Sequence, residues 1–319
     1  MILITGANGR IGKKLVARLL KDGEKVRAFV RKAGRKRKNL EFFEGDICDA
    51  KSLKMAMKDV KAVYHLAAIV DYTKSKKEMM AANVLGTKNI LEAAGKRKVI
   101  HMSSTAVMGK KLQKIPADEK TYCKPTNIYG QTKLEAEKLA ISKDAVVIRS
   151  ADVYGKEFKE GFFQIIDSLK RKKLLIVGNG KNQLQFVHIS DLIDALILAK
   201  DKGKRGRIYI ITGKDIVTQE ELITLTCKLL RISAPDKKIP LELAKFLARV
   251  KGIQSKVKKK KPVVLEEYID KLAANRVFNI ERAREELGYD PKIKYEIGIK
   301  EVVDEFKKCG KRFLQKRAN

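Results

Sequence analysis

Short apolar runs alternate with amphipathic stretches through the first half of the chain. The run Met1–Ile4 predicts a buried strand ended by Thr5, and Lys13–Leu20 continues with helical periodicity. Lys25–Val30 and Leu40–Phe43 predict further strands, the second ending at Glu44-Gly45-Asp46. Lys51–Met57 predicts a short helix and Ala62–Leu66 a strand running into Ala67-Ala68. Glu78–Ala94 has long helical periodicity, Lys98–Met102 predicts a strand ending at Ser103-Ser104-Thr105, Ile128–Ile141 a helix and Ala145–Ile148 a strand. Strands alternating with helices at this spacing predict an α/β fold, a parallel, doubly wound sheet with right-handed crossovers. Ligands in such folds bind beyond the carboxyl ends of the strands. Gly6, Asp46, Ala67, Ser104 and Arg149 all fall at predicted strand ends.

Beyond Gly155 the alternation loosens. Gly161–Leu169 predicts a helix, Lys173–Val177 and Leu184–Val187 short strands, and Ile189–Ala199 a helix capped by Ser190 or Asp191. Arg207–Ile211 predicts a strand and Gln219–Leu230 an amphipathic helix, while Lys251–Pro262, with its lysine run, reads as an exposed loop. Asn279–Leu287 and Glu296–Cys309 predict closing helices, with Gly288 and Pro291 as stop signals between them. The pattern divides the chain into residues 1–155 and a smaller, mixed α/β part, 156–319, from which segments around 183–200 return to the main sheet.

Charge changes this picture more than overall composition does. The 319 residues suffice to bury roughly three-quarters of the unfolded surface. Lysine and arginine total 71 against 38 acids, a net charge of +33. Such a field attracts anionic ligands, nucleic acid and acidic membranes without specifying any of them. The basic residues are spread along the whole chain, as a general lysine bias would place them. The densest runs, Lys32–Lys38 and Lys256–Lys261, lack the interleaved aromatics of a single-strand-binding surface, so nucleic acid is not the expected partner. Cys48, Cys123, Cys227 and Cys309 lie far apart, which argues against a disulfide framework or a structural zinc site, and three scattered histidines make no metal cluster. No apolar run approaches the ~18 residues of a membrane span, and the first glycine turn comes too early for a signal peptide. The chain reads as cytoplasmic.

That first turn, TGANGRIG, carries Gly6, Gly9 and Gly12 at spacings of three between a strand and a helix. Gly6 permits the tight turn, Gly9 lets backbone approach a pyrophosphate, and Gly12 lets the helix pack close to the sheet, with Asn8, Arg10 and Ile11 between them. The helix N-terminus then offers free N–H groups and a positive dipole end to phosphates. The spacing is G-x-x-G-x-x-G rather than the commoner G-x-G-x-x-G.

Tyr129 and Lys133, in YGQTK, stand at i and i+4 on one face of a predicted helix, and Ser104 ends the preceding strand. The three suit hydride chemistry. A ketone gaining hydride needs a proton on oxygen, which a phenol supplies; an alcohol losing hydride must give its proton up. Free tyrosine, with a pKa of about 10, is a poor base at neutral pH. A neighbouring ammonium and a positively charged nicotinamide both favour the phenolate, so Lys133 makes Tyr129 usable. Lys133 can also hold the cofactor ribose, and Ser104 can hydrogen-bond the substrate oxygen.

An NAD site usually places an acid about 20 residues past the glycines, on the ribose hydroxyls. No acid occurs from Lys25 to Leu40, and the strand end reads Val30-Arg31-Lys32. Arg31, and Arg10 within the turn, could grip a 2′-phosphate with paired hydrogen bonds. The expected cofactor is NADP, with NAD as the alternative.

Over nearly its whole length the chain resembles an extended short-chain dehydrogenase/reductase of the NAD-dependent epimerase/dehydratase family. The matching segments are TGANGRIG, GDICD at 45–49, HLAA at 65–68, NVLGTKNILEAA at 83–94, SSTAVMG at 103–109, YGQTK, RSADVYG at 149–155, FVHISDL at 186–192 and FNIERAREELGYDPK at 278–292. The resemblance implies a Rossmann-type fold, with a dinucleotide-binding domain over 1–155 and a mainly substrate-binding part over 156–319. It implies that Asp46 and Ile47 form the adenine-binding pair and Ala67-Ala68 the wall beneath the nicotinamide. It further implies that Asn83 orders the cofactor side, that Val153 belongs to the cofactor site, and that Ser104, Tyr129 and Lys133 are the catalytic set. His65 and His188 fall inside family signatures and read as structural. Family members often pair two helices, here Glu78–Ala94 and Ile128–Ile141, to form a homodimer.

Two positions depart from the nucleotide-sugar branch of that family. Asp152 stands where an asparagine typically contacts the sugar-nucleotide phosphates, and Leu184 where an arginine typically does. An acid there repels a diphosphate, and leucine cannot replace a charge-assisted bond. With Thr105, these are the candidate substrate residues. The expected function is therefore an NADP-dependent alcohol/ketone oxidoreductase acting on a small molecule. In it Tyr129 is acid/base, Lys133 assists and Ser104 orients the oxygen. The alternatives are a nucleotide-sugar epimerase and a nucleic-acid-binding or redox-sensing protein on the same fold. A dehydratase is less favoured, since Thr105-Ala106 replaces its Asp-Glu pair.

Overall fold

The structure, a computed structural model, describes residues 1–71, 74–257, 269–270 and 273–318. Seven strands form one parallel sheet: β1 (Ile2–Thr5), β2 (Val26–Val30), β3 (Leu40–Glu44), β4 (Ala62–His65), β5 (Lys98–Ser104), β6 (Val146–Ser150) and β11 (Ile208–Ile211). Their order, β11-β6-β5-β4-β1-β2-β3, reverses direction between β1 and β4, so a crevice opens there beyond the strand ends. Alternate side chains of each strand enter opposite cores. Ile2, Ile4, Ile100 and Ile148 pack with Leu15 and Leu19 of α1 (Arg10–Lys21). Leu192 and Leu196 of α7 (Ile189–Lys202) join that layer, and so does Leu287 of α10 (Glu281–Leu287). Leu3, Val63, Val99 and Val147 pack on the other face with Leu53 of α2 (Ala50–Ala56) and Ile90 and Leu91 of α4 (Gly86–Ala94). Burial on both faces is why these strands read as continuous apolar runs rather than alternating ones.

The helix expected over Glu78–Ala94 is interrupted. α3 (Lys76–Met79), opened by a capping box of Ser75 and Glu78, passes through a π-helical stretch (Met80–Leu85) into α4. α5 (Ile128–Ser142) lies against β5 as expected, capped by the Asn127 side chain accepting from the Gly130 N–H at 2.7 Å.

In the second half, α6 (Lys159–Lys170), α8 (Gln219–Leu230) and α11 (Tyr295–Ala318) gather around Tyr154, Phe163, Leu222, Val302 and Phe306. Several expectations are corrected here. The predicted strand Leu184–Val187 is two strands with different partners. β9 (Gln183–Leu184) pairs with β12 (Val217–Thr218), and β10 (Phe186–His188) pairs with β7 (Asp152–Tyr154). Gln185 turns between them, its Nε2 donating to the Gly213 carbonyl and its Oε1 accepting from the Phe278 N–H. Lys173–Val177 shrinks to β8 (Ile176–Val177), paired with β13 (Lys238–Ile239). Within the segment expected to return to the main sheet, α7 packs on β5 and β6, and β11 then joins the sheet beside β6. The cap of α7 is His188, whose Nδ1 accepts from the Ser190 N–H. Asp191 is drawn elsewhere, its two oxygens accepting from the Lys292 and Ile293 N–H groups. A helix, α9 (Leu241–Val257), occupies the start of the expected loop Lys251–Pro262. Residues 258–262, with most of the lysine run Lys256–Lys261, lie outside the described residues.

Candidate active site

The glycine turn is built as a close approach of two strand ends. Gly6 has φ +70°, and a Cβ there would sit 2.8 Å from the Ala67 nitrogen, so β1 and β4 can meet at the crevice only with glycine at this position. A Cβ on Gly12 would lie 2.2 Å from the Gly6 carbonyl oxygen, and one on Gly9 3.0 Å from the same atom. The Gly9 N–H closes the turn onto Gly6 O at 2.9 Å. No side chain caps α1, so its leading N–H groups face the crevice as an anion site, and its first turn holds no acid. Ile11 is half-buried against the core, while Asn8 reaches across to the Lys32 carbonyl at 3.5 Å.

The Arg10 guanidinium lies 4.9 Å above the Phe158 ring, and Arg31 is exposed just past the end of β2. An acid also approaches that end in space. Glu44 pairs in register with Val30, and its carboxylate accepts from the Ala33 N–H at 3.3 Å. Next along the edge, Asp46 is exposed and accepts from the Cys48 N–H at 2.8 Å. Ile47 packs on Gly86, where a Cβ would come within 2.6 Å of its side chain.

From this turn a hydrogen-bond chain runs under the crevice to α5. The Ala67 N–H donates to Thr5 Oγ1, and Thr5 bonds His65 Nδ1 at 2.8 Å. His65 Nε2 bonds Thr87 Oγ1 at 2.9 Å, and that hydroxyl donates to the Asn83 carbonyl at 2.6 Å. One proton arrangement satisfies every member: Thr5 donates to Nδ1, and a neutral His65 donates from Nε2. Burial agrees, pushing His65 down to about 3, with the nearby Lys133 ammonium adding to the effect. Asn83 closes the circuit. Its Oδ1 accepts from the Ile69 N–H at 2.7 Å, and its Nδ2 donates to Ile69 O and to Thr132 Oγ1, whose hydroxyl donates to the Tyr129 carbonyl. Asn83 thus fixes the Ala67-Ala68 loop to the turn of α5 that bears Tyr129. Its π-helical setting supplies the displacement this needs.

Ser104, Tyr129 and Lys133 lie on two elements in contact, the end of β5 and the start of α5. Ser104 caps the short 3₁₀ turn Thr105–Met108, its Oγ accepting from the Ala106 N–H at 3.1 Å. Ala106 packs with Tyr129 and Met79, and a Cβ on Gly130 would lie 2.7 Å from Ala106 O, so the serine turn and the start of α5 are in contact. Lys133 is buried, with Nζ donating to the Met102 carbonyl on β5. Burial pushes its ammonium down to about 8, against an opposing pull from Glu137. Glu137 is itself committed: it accepts from Ser103 Oγ at 2.7 Å and forms a buried pair with Arg149 at 2.6 Å.

None of Ser104, Tyr129 and Lys133 lines the cavity of about 370 Å³ that is bounded by α6, α8, α9, α11 and the small sheets; Arg276 on its wall bonds Thr105, next to Ser104. Phe158, Phe162, Leu174, Leu222, Ile239 and Val303 are typical of its lining, and Lys173 and Arg276 are its cations. Asp152, Val153 and Leu184 line it, so both departures from the nucleotide-sugar pattern do face this space. Val153, expected at the cofactor, pairs with Val187 on this wall. Thr105 is engaged by Arg276, which the sequence reading missed. Arg276 is buried, stacks 5.4 Å from Phe278, and donates to Gly109 O at 2.6 Å and to both Thr105 oxygens at 3.2 Å. Its one signal in sequence is a charge directly preceding the apolar pair Val277-Phe278.

Among the described residues no group of acids, histidines and cysteines is placed to hold a metal. The glycine cradle, with space that any Cβ would fill and an uncapped helix start, fits a dinucleotide. Comparison with known proteins agrees. The chain is 26% identical over 312 residues to the 4-hydroxy-2-methyl-3-oxo-4-farnesyl-3,4-dihydroquinoline-1-oxide ketoreductase of Stigmatella aurantiaca, covering 93% of each. It is 24% identical over 325 residues to the decarboxylating sterol-4-alpha-carboxylate 3-dehydrogenase of Mus musculus, covering 95% of this chain and 90% of that one. The crystal structure of UDP-glucuronic acid 4-epimerase from Bacillus cereus in complex with NAD superposes with a TM-score of 0.76 at 25% identity, over 97% of this chain and 99% of that one. The profile of the NAD dependent epimerase/dehydratase family matches residues 2–212. The chain is an NAD(P)-dependent enzyme, a member of the NAD dependent epimerase/dehydratase family.

Proposed function

We propose that the protein is an NADP-dependent oxidoreductase that interconverts an apolar ketone and its secondary alcohol. The observation that carries this reading is the apolar cavity, lined at the two diagnostic positions by Leu184 and Asp152 rather than by phosphate ligands. A bound nicotinamide dinucleotide supplies or accepts the hydride. Tyr129 gives the carbonyl oxygen its proton, and Ser104 Oγ orients that oxygen from the end of β5. Lys133, held by Met102 O, favours the phenolate and holds the cofactor ribose. Asn83, through Thr132, keeps the Tyr129 turn in register with the nicotinamide wall at Ala67-Ala68. The apolar names of two relatives, a farnesyl-quinoline ketoreductase and a sterol-carboxylate dehydrogenase, support the substrate class.

Preference for NADP rests on Arg31 and on the absence of an acid from Lys25 to Leu40. Glu44, the acid that approaches in space, is engaged by the Ala33 N–H. The test is NADPH oxidation with a panel of cyclic ketones. We expect net turnover that falls by about 10²–10⁴ in Tyr129→Phe, with cofactor binding retained. Arg31→Ala should shift preference toward NADH by about tenfold or more, the worth of a charge-assisted contact. Tighter NAD than NADP binding, unchanged in Arg31→Ala, would overturn the cofactor assignment. Interconversion of UDP-sugars without net change in cofactor would overturn the reductase in favour of an epimerase.

A further inference from the structure

Helix α9 carries apolar side chains on more of its circumference than its packing uses. Ala244 and Ala248 are buried against the cavity. Beside them Leu243, Phe246, Leu247 and Val250 are 48%, 60%, 42% and 37% exposed. Their spacing of i, i+3, i+4 and i+7 puts all four in one stripe, with Glu242, Lys245 and Arg249 on the remaining face. Leu247 belongs to both surfaces, since it also lines the cavity, so the exposed stripe is the cavity's outer rim.

Exposed cations flank the same rim. Arg171, Lys172 and Lys173 lie in the turn that leads through Leu174-Leu175 into β8, with Lys170 before them over the Phe306 ring; Lys237 precedes and Lys238 opens β13, which pairs with β8 and leads through Pro240 into α9. The acids in this region are mostly paired: Asp167 with Arg171, Glu242 and Asp270 with Lys245, and Glu220 3.7 Å from Lys238, with Asp236 beside Lys237. An apolar stripe bordered by cations matches an interface whose polar layer is anionic and whose interior is hydrocarbon. A second copy of the chain fits poorly, because each copy carries +33 and the two cationic borders would meet.

We infer that α9 docks on an anionic lipid bilayer. Leu243, Phe246, Leu247 and Val250 enter the acyl boundary, and the lysines of 170–173 and 237–238 lie at the phosphates. The cavity behind Leu247 then opens toward the hydrocarbon, from which an apolar substrate enters without crossing water. Docking goes beyond the proposed redox function and is read without turnover.

The experiment is co-sedimentation of the full chain with vesicles of phosphatidylcholine alone and of phosphatidylcholine mixed with phosphatidylglycerol. Binding should rise by about tenfold or more with the anionic lipid and fall with salt. Leu243→Ser with Phe246→Ser, neither of which lines the cavity, should remove it while turnover of a water-soluble ketone is unchanged. Charge reversal by Lys172→Glu with Lys237→Glu should weaken it independently of any loss of packing. Equal binding to both vesicles, or wild-type binding by both variants, would overturn the inference. So would light scattering that shows the Ser variant splitting a dimer with no change at vesicles. Vesicle binding without ketone turnover would fail the redox reading alone.

Discussion

Lys133 is the residue whose chemistry depends most on its surroundings. Its folded-state pKa of about 8 lies below the ordinary 10.5 because the ammonium is buried. A lowered lysine pKa penalises the folded state while the unfolded chain can hold the proton more readily. That penalty is full below pH 8 and is relieved as pH rises from about 8 toward 10.5. The unfolding free energy of the cofactor-free protein, measured against Lys133→Met by chemical denaturation, should therefore rise across that window by roughly 3 kcal/mol. A difference flat from pH 7 to 10 would show that Lys133 keeps an ordinary pKa. The lysine, tyrosine and serine were proposed from residue type and spacing alone. Arg276 and the Thr5–His65–Thr87–Asn83 chain were not, since each is a contact between residues far apart in sequence.

At the scale of the element, α1 shows how a helix can be defined by its missing atoms. Its start has neither a capping side chain nor an acid, and its approach to β1 depends on glycine at 12. Gly12→Ala would put a methyl group 2.2 Å from the Gly6 carbonyl oxygen, an atom of the same turn that cannot rotate away. We expect it to cost about 1–3 kcal/mol of stability and to weaken dinucleotide binding by at least about tenfold, read by denaturation and by fluorescence titration with NADPH. Wild-type affinity would mean that the turn opens without loss. Regular elements with strong periodicity, such as α8 and the main strands, were readable to within a residue or two. The π-helical stretch and the split of β9 from β10 were not. The first arises because Asn83 must serve both Ile69 and Thr132, and the second because Gln185 turns to meet Gly213 and Phe278.

At the scale of the molecule, the two halves have divided the work. The sheet with α1 and α5 carries the cradle and the residues proposed for proton transfer, and helices α6, α8, α9 and α11 border the apolar space. Filling that space should discriminate among substrates by size. Ala248→Phe, on the cavity wall, should lower kcat/KM for a bulky bicyclic ketone by about tenfold or more and leave a small one such as cyclohexanone within about twofold. Equal losses for both would mean that substrates bind elsewhere. No described helix is long and apolar enough to cross a membrane.

The sequence alone determined the alternation of strands and helices and the glycine cradle, and it singled out the trio proposed for catalysis. Each is written in local period, glycine spacing or residue type within one element. Tertiary structure decided the rest. It placed Arg10 over Phe158, drew Glu44 to the end of β2, and seated Leu184 and Asp152 on one apolar wall. It also joined Thr105 to Arg276 across the fold. The physical reason is range. A strand or a glycine turn is specified by neighbours along the chain, whereas a pocket is specified by which distant faces come together, and no local pattern encodes that.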